Sequence, residues 1–207
     1  MLKIYGKASS INVRKVLWTC AELNLNYTRE DYGTGFAPTT TPEFLSMNPN
    51  GMVPVIRDEE LVLWESNTIC RYLVHRHKRF DLLPIDAEQK ARVEQWMDWQ
   101  ATELNNSWRY AFMSLARQHV DYQDEQKTNA GVALWNSQMS ILNQQLARTG
   151  AFVTGQAFTL ADVVLGLSVN RWVMTPMAHA DLPFVMGYYE RLSQRPAFMV
   201  HGRNGLV

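Results

Sequence analysis

Two short polar clusters stand where chemistry could be done, each at the start of an expected helix. The first is Ser9, Ser10 and Asn12, in the loop that follows an apolar strand. A hydroxyl at a helix N-terminus lies beside unpaired backbone N–H groups and the positive end of the helix dipole, so it can donate to an anion and stabilise it. The second is Glu65–Ser66, where a strand gives way to a helix. A ligand carboxylate there would meet the serine hydroxyl and orphan backbone donors, while Glu65 would meet a neighbouring ammonium. The ordinary role of serines in both places is helix capping. A third set, Trp108, Arg109 and Phe112, places a guanidinium beside two aromatic rings. It suits a ligand carrying a carboxylate or other anion, although an arginine at such a position is more often solvated or ion-paired. Cys20 and Cys70 lie fifty residues apart and form neither a CxxC pair nor a metal-ligand cluster, so no metal site is expected.

The elements that must position these residues change character along the chain. Leu2 to Tyr5 reads as a strand, stopped by Gly6 and a polar loop through Asn12. Val13, Val16, Leu17, Cys20 and Leu23 then recur at helical spacing, which makes Cys20 a core residue. Asn26 to Asp31 returns as a second strand, and strand, helix, strand at this length implies a right-handed parallel crossover. A short helix over Pro42 to Met47 precedes two apolar runs, Val53 to Ile56 and Leu61 to Trp64, whose charged connection Arg57 to Glu60 predicts an antiparallel hairpin. Ser66 to His77 is helical. The order β, α, β, α, β, β, α is that of an α/β thioredoxin-like domain with a mixed four-stranded sheet.

From Asp86 onward the periodicity is helical only. One long helix is expected from Val93 to Leu115 and another from Val132 to Leu146. Five of the seven tryptophans lie beyond residue 90, an aromatic stripe that belongs to a core. Thr159 and Asp162 have capping-box spacing, with Phe158 and Val163 available as a hydrophobic staple, and mark a folding signal. The expected division is therefore residues 1–78, a linker over 79–86, and an all-α C-terminal helical domain over 87–207.

Composition narrows the function. Hydrophobic residues at 46% and charged residues at 19% give a chain that can bury a core. Twenty basic against twenty acidic residues, with net charge zero, lack the electrostatic footprint of a nucleic-acid or anionic-membrane binder. The N-terminus has no secretory h-region and no apolar run has the length of a membrane span. With only two cysteines, a reducing, cytoplasmic setting is expected.

Four segments in order, SSINVRKV after the first strand, PEFLSMNPNGMVPVI, Glu65–Ser66, and FTLAD, together resemble a glutathione S-transferase over essentially the whole chain. The resemblance is nearest to bacterial and theta or phi-like members, whose catalytic loop carries serine. It implies glutathione as co-substrate, activated as thiolate for attack on a small, partly apolar electrophile. A free thiol of this kind has a pKa of about 8.5, so only a minor fraction is nucleophilic near neutrality. Spacing to Arg14 places Ser10 on the family's catalytic serine, with Ser9 as the alternative and Asn12 as a second donor. Glu65 and Ser66 match the γ-glutamyl end. The resemblance also implies a cis bond between Val53 and Pro54, leaving Val53 backbone groups for the cysteinyl part.

Relatives hold the glycine carboxylate with Lys or Gln before the Val-Pro pair and a His ahead of PEF. Met52 and Thr39 stand there instead, leaving Asn50 or backbone for that end. The electrophile is expected between the domains, against Trp108, Arg109 and Phe112. The family also implies a homodimer. Two other functions are compatible with the fold. One is glutathione-dependent peroxide or disulfide reduction, for which residues 6 to 12 supply no cysteine; the other is a non-catalytic ligand-binding or protein-interaction role.

Overall fold

The computed structural model describes residues 1–206. Strand β1 (Leu2–Tyr5) is central, paired in parallel with β2 (Tyr27–Glu30) and antiparallel with β3 (Val55–Asp58), which pairs antiparallel with β4 (Leu61–Trp64). The order β2-β1-β3-β4 is the mixed four-stranded sheet of a thioredoxin-like domain. The hairpin starts two residues later than the apolar run suggests. Proline has no backbone N–H for a ladder, and Val53–Pro54 stands outside the sheet. The turn contracts to Glu59–Glu60, with Glu59 at φ 55°.

Helix α1 (Ile11–Glu22) begins before the first strongly periodic residue, because Ser10 already has extended N-cap backbone, φ −78° and ψ 125°. Asn12 therefore lies in the first turn of the helix and not in the loop. Helix α2 (Pro42–Met47) is capped by Thr41, whose Oγ1 accepts the Phe44 N–H at 3.3 Å. Helix α3 (Ser66–Arg76) completes the first domain.

The long helix expected from Val93 to Leu115 is divided. Helix α4 (Ala87–Trp99) runs into a π-helical turn at Gln100–Leu104 before α5 (Asn105–Leu115). A π turn inserts extra backbone and rotates the following face, which apolar spacing alone does not reveal. Helices α6 (Glu125–Thr149), α7 (Leu160–Met174), α8 (Pro183–Leu192) and α9 (Pro196–His201) complete the second, helical domain.

Helix α7 is buried on every side from Leu160 to Trp172 and joins the two domains into one core. Trp18 of α1 packs against Phe158 and Phe198, with ring centroids 5.8 and 5.0 Å apart. It also lies over Gly166 of α7: a Cβ there would sit 3.0 Å from the indole and 2.7 Å from Leu192. Cys20 and Cys70 are both buried and unbridged, consistent with a core role.

The start of α7 is the expected capping box. Asp162 is fully buried and accepts from Thr159 N at 2.8 Å, Val153 N at 2.9 Å and Tyr188 Oη at 3.1 Å. Burial lifts its carboxyl from 3.8 to about 6 against the pull of those donors. The folded chain then binds this proton more tightly than the unfolded chain. Stability should fall as pH rises from about 4 to about 6 and level off above. In Asp162→Asn that slope should vanish, and stability at pH 7 should drop by roughly 1–3 kcal/mol as one donor loses its acceptor. Denaturant melts of both proteins from pH 4 to 8 check this; parallel pH profiles would refute it.

Candidate active site

Two helix N-termini face the same depression. At the start of α1, Ser10 occupies the cap position, yet its hydroxyl makes no capping hydrogen bond and no acidic residue occupies the first turn. The unpaired N–H groups and the hydroxyl remain for another acceptor. At the start of α3, Glu65 is held at φ 71° and ψ 109°, again with no side-chain cap. A non-glycine residue in that region costs of order 1–3 kcal/mol, retained where surrounding structure enforces it. Here it leaves Ser66 buried and Glu65 exposed at the head of the helix.

Between these helix ends lie two adjoining cavities that share Asn12, Glu65 and Ser66. The smaller, about 140 Å³, is also lined by Asn48, Met52, Val53 and Pro54. The Val53–Pro54 peptide bond is cis. Gly6, at φ 148°, allows this loop to approach: a Cβ there would lie 2.5 Å from Val13 and 3.1 Å from Val53. The larger cavity, about 250 Å³, continues along α3 past Lys15, Asn67 and Arg71 to Asp98 and Asn105. A wider cleft of about 680 Å³ beside the linker shares no residue with either.

Lys15 forms the floor of the larger cavity. The residue is 3% exposed, and its ammonium donates to Gln100 Oε1 at 2.7 Å and Asn67 Oδ1 at 3.3 Å. Asn67 in turn donates to Met97 O at 2.8 Å. The π turn places Gln100 at the domain junction, so this network ties the start of α3 to the helical domain. Burial lowers Lys15 to about 8, with Arg171 lowering it further while Cys70 and Glu65 oppose the fall.

The structure therefore brings Asn12, Met52, Val53, Pro54, Glu65 and Ser66 around one cavity, with Ser10 two residues before Asn12. Asn50 does not line it. It is exposed and donates through Nδ2 to Asn48 Oδ1 at 3.0 Å, while Asn48 Nδ2 holds Met52 O at 2.8 Å. Thr39 lies beside Gly51, its carbonyl 3.3 Å from where a Gly51 Cβ would be. Trp108 and Phe112 pack together with ring centroids 5.3 Å apart. Arg109 is exposed, and the guanidinium against both rings belongs to Arg171.

Asn48, Lys15 and Asn67 were not legible as site residues. For Asn48 the Asn-Pro-Asn-Gly turn was a usable signal. The others are polar residues within helices, and only packing between domains shows where they point. Among the described residues, no group of three or more His, Cys, Asp or Glu could hold a metal ion. None of the described helices is long and apolar enough to cross a membrane.

A thioredoxin-like sheet joined to a helical domain, with two helix N-termini meeting at a cis-proline loop, is the architecture of a glutathione-handling protein, and the comparisons agree. Residues 1–75 match the family model "Glutathione S-transferase, N-terminal domain". The chain is 33% identical over 199 residues to Glutathione S-transferase GstB of Escherichia coli (strain K12), covering 95% of each. It belongs to the glutathione S-transferase family. The crystal structure of the theta class glutathione S-transferase from Xanthomonas axonopodis pv. citri, with glutathione bound, superposes with a TM-score of 0.93 at 31% identity, covering 100% of this chain and 99% of that one. Disulfide-bond oxidoreductase YfcG of Escherichia coli (strain K12) is 29% identical over 206 residues, covering 95% of this chain and 92% of that protein.

Proposed function

We propose that this chain is a serine-type glutathione transferase in which Ser10 stabilises the thiolate of glutathione for attack on a small electrophile. The observation that carries the reading is the meeting of two uncapped helix N-termini on one cavity, with the Ser10 hydroxyl not spent on its own helix. Glutathione bears a carboxylate and an ammonium on the same γ-glutamyl carbon. The head of α3 offers the complementary pair: the Ser66 hydroxyl with backbone donors for the carboxylate, and Glu65 for the ammonium. Val53, Pro54 and Met52 flank the cysteinyl part, and Asn48, holding both Met52 and Asn50, organises the loop toward the glycine end.

The chemistry then divides among these groups. The dipole of α1 and the Ser10 hydroxyl favour the anion over the thiol, and the released proton goes to solvent. Asn12, in the first turn, supplies a second donor. The thiolate forms a carbon–sulfur bond as the leaving group departs with its electron pair. Trp108 and Phe112 are assigned to the acceptor side.

If Glu65 and Ser66 hold the γ-glutamyl end, replacing either with Ala should weaken glutathione binding about ten- to a hundredfold, the effect of losing one charge-assisted hydrogen bond. Calorimetric titration of the folded double variant reads this directly; unchanged affinity would sink the assignment.

Ser10→Ala should raise the pKa of bound glutathione by about one to two units, as expected for loss of a hydrogen bond to a charged group worth roughly 1.5–3 kcal/mol. Thiolate absorbance titrated in wild type, Ser9→Ala and Ser10→Ala, with turnover over the same pH range, tests it. A shift in Ser9→Ala alone would move the role by one residue. No shift in either would leave the backbone at the helix end and Asn12 as the stabilising groups.

The homodimer is proposed on the family arrangement, in which the first domain of one chain packs on the second of another. Leu61 and Trp64 on edge strand β4 provide exposed apolar surface for it. Light scattering at micromolar concentration should return twice the 23.9 kDa chain mass, and a value of one chain mass would overturn the proposal.

A further inference from the structure

Four charged side chains line the larger cavity, and two of them answer each other. Arg71 of α3 is ion-paired with Asp98, and with Glu94 as well. The other two are Lys15 of α1 and Glu65 at the head of α3, and neither forms an ion pair among the described residues. They are of opposite sign, and the same wall carries Ser66, which also lines the smaller cavity. Lys15 is the buried member, 3% exposed, with two of its three ammonium donors on neutral amide oxygens: Gln100 Oε1 at 2.7 Å and Asn67 Oδ1 at 3.3 Å. Gln100 is 2% exposed in the π turn, and Asn67 is held in turn by Met97 O at 2.8 Å. The helical domain thus fixes a cation beside the residue that follows Ser66.

An ammonium taken out of water and given only neutral acceptors is costly to hold. Packing alone does not require it, since an unbranched apolar residue of similar volume would fill the same helix position without that cost. A carboxylate arriving at Ser66 would meet this charge where water screens it little, and charge-assisted hydrogen bonds are the strong ones.

We propose that Lys15 is a specificity-determining residue of the γ-glutamyl site: its ammonium, anchored from the helical domain through Gln100, selects ligands that bring a carboxylate to Ser66. The inference deepens the transferase reading and rests on it for the ligand. Lys15 and Glu65 then divide the two charges of the γ-glutamyl end between α1 and the head of α3. The assignment carries a pH dependence. Around Lys15, Cys70 of α3 and Glu65 at its cap favour the charged form and Arg171 of α7 opposes it, while burial outweighs them and sets the group at about 8. The π turn contributes a neutral amide, and His201 of α9 is coupled to Arg14 instead. A bound carboxylate raises the ammonium above that value, so its contribution to affinity is complete below about pH 8 and is lost as pH climbs toward the higher value of the complex.

The test uses three thioethers, none with a thiol to titrate. S-methylglutathione carries both γ-glutamyl charges, 4-aminobutyryl-S-methylcysteinylglycine lacks that carboxylate, and glutaryl-S-methylcysteinylglycine lacks the ammonium. In calorimetric titrations at pH 7, Lys15→Met should weaken binding of the first and third about ten- to a hundredfold and leave the second unchanged. Equal losses for all three would make Lys15 a structural residue only, and no loss for any would give it no part in binding; either result overturns the proposal. If wild type binds S-methylglutathione, such a result removes Lys15 from the site and leaves the glutathione reading standing. If wild type does not bind S-methylglutathione, the glutathione reading falls and the proposal with it. Wild type alone gives a second measurement, decisive should the variant fail to fold. Its affinity for the glutaryl ligand, whose carboxylates stay ionised throughout, should fall about tenfold between pH 7 and 9.5, and a flat profile would overturn the proposal.

Discussion

The structure depends on the burial of α1 among α3, α7 and α9. From Val13 to Cys20 every residue of this helix is buried, Arg14 and Lys15 included. A helix enclosed on all sides cannot shift or rotate without disturbing a close-packed interior. Trp18 fixes it against Gly166, where the absence of a side chain lets indole and helix backbone meet. The N-terminus of α1 is held by the same packing, so the position of Ser10 and Asn12 is set by contacts several residues away.

That constraint accounts for the polar residues at the domain junction. Facing the first domain and α4, Lys15 ties Asn67 to Gln100 and so couples the head of α3 to the helical domain. Arg14 faces the chain's last turns, and Arg171 stands against the aromatic pair of α5. One helix thus turns Asn12 to the cavities, an ammonium to the head of α3 and a guanidinium to the chain's last turns. Burial lowers the pKa of each of these cations.

Family membership and local geometry contribute differently to the functional reading. Membership brings the expectation of glutathione chemistry and explains why a thioredoxin-like sheet carries a helical second domain. The local geometry shows which groups are unspent: a cap serine whose hydroxyl does not cap, and a glutamate in a left-handed backbone at the head of α3. Unspent donors positioned by a rigid scaffold are the physical signature of a site awaiting its ligand.

Sequence by itself determined the element order, the change from mixed to helical structure near residue 80, and the capping box at Thr159–Asp162, because these follow from periodicity and short-range hydrogen bonding. It also placed Glu65–Ser66 at a helix head. Boundaries moved where backbone outweighed side-chain pattern: Asn12 entered α1, and Val53–Pro54 fell outside the ladder. Tertiary structure alone decided the rest. The π turn at Gln100–Leu104 leaves no mark in apolar spacing, yet it brings Gln100 to Lys15. Arg109 and Arg171 are alike in sequence, each an arginine within a helix, but α5 turns the first toward solvent while α7, enclosed on all sides, presses the second against Trp108 and Phe112. Which arginine meets the rings is a property of helix packing between distant segments, and local sequence carries no record of it.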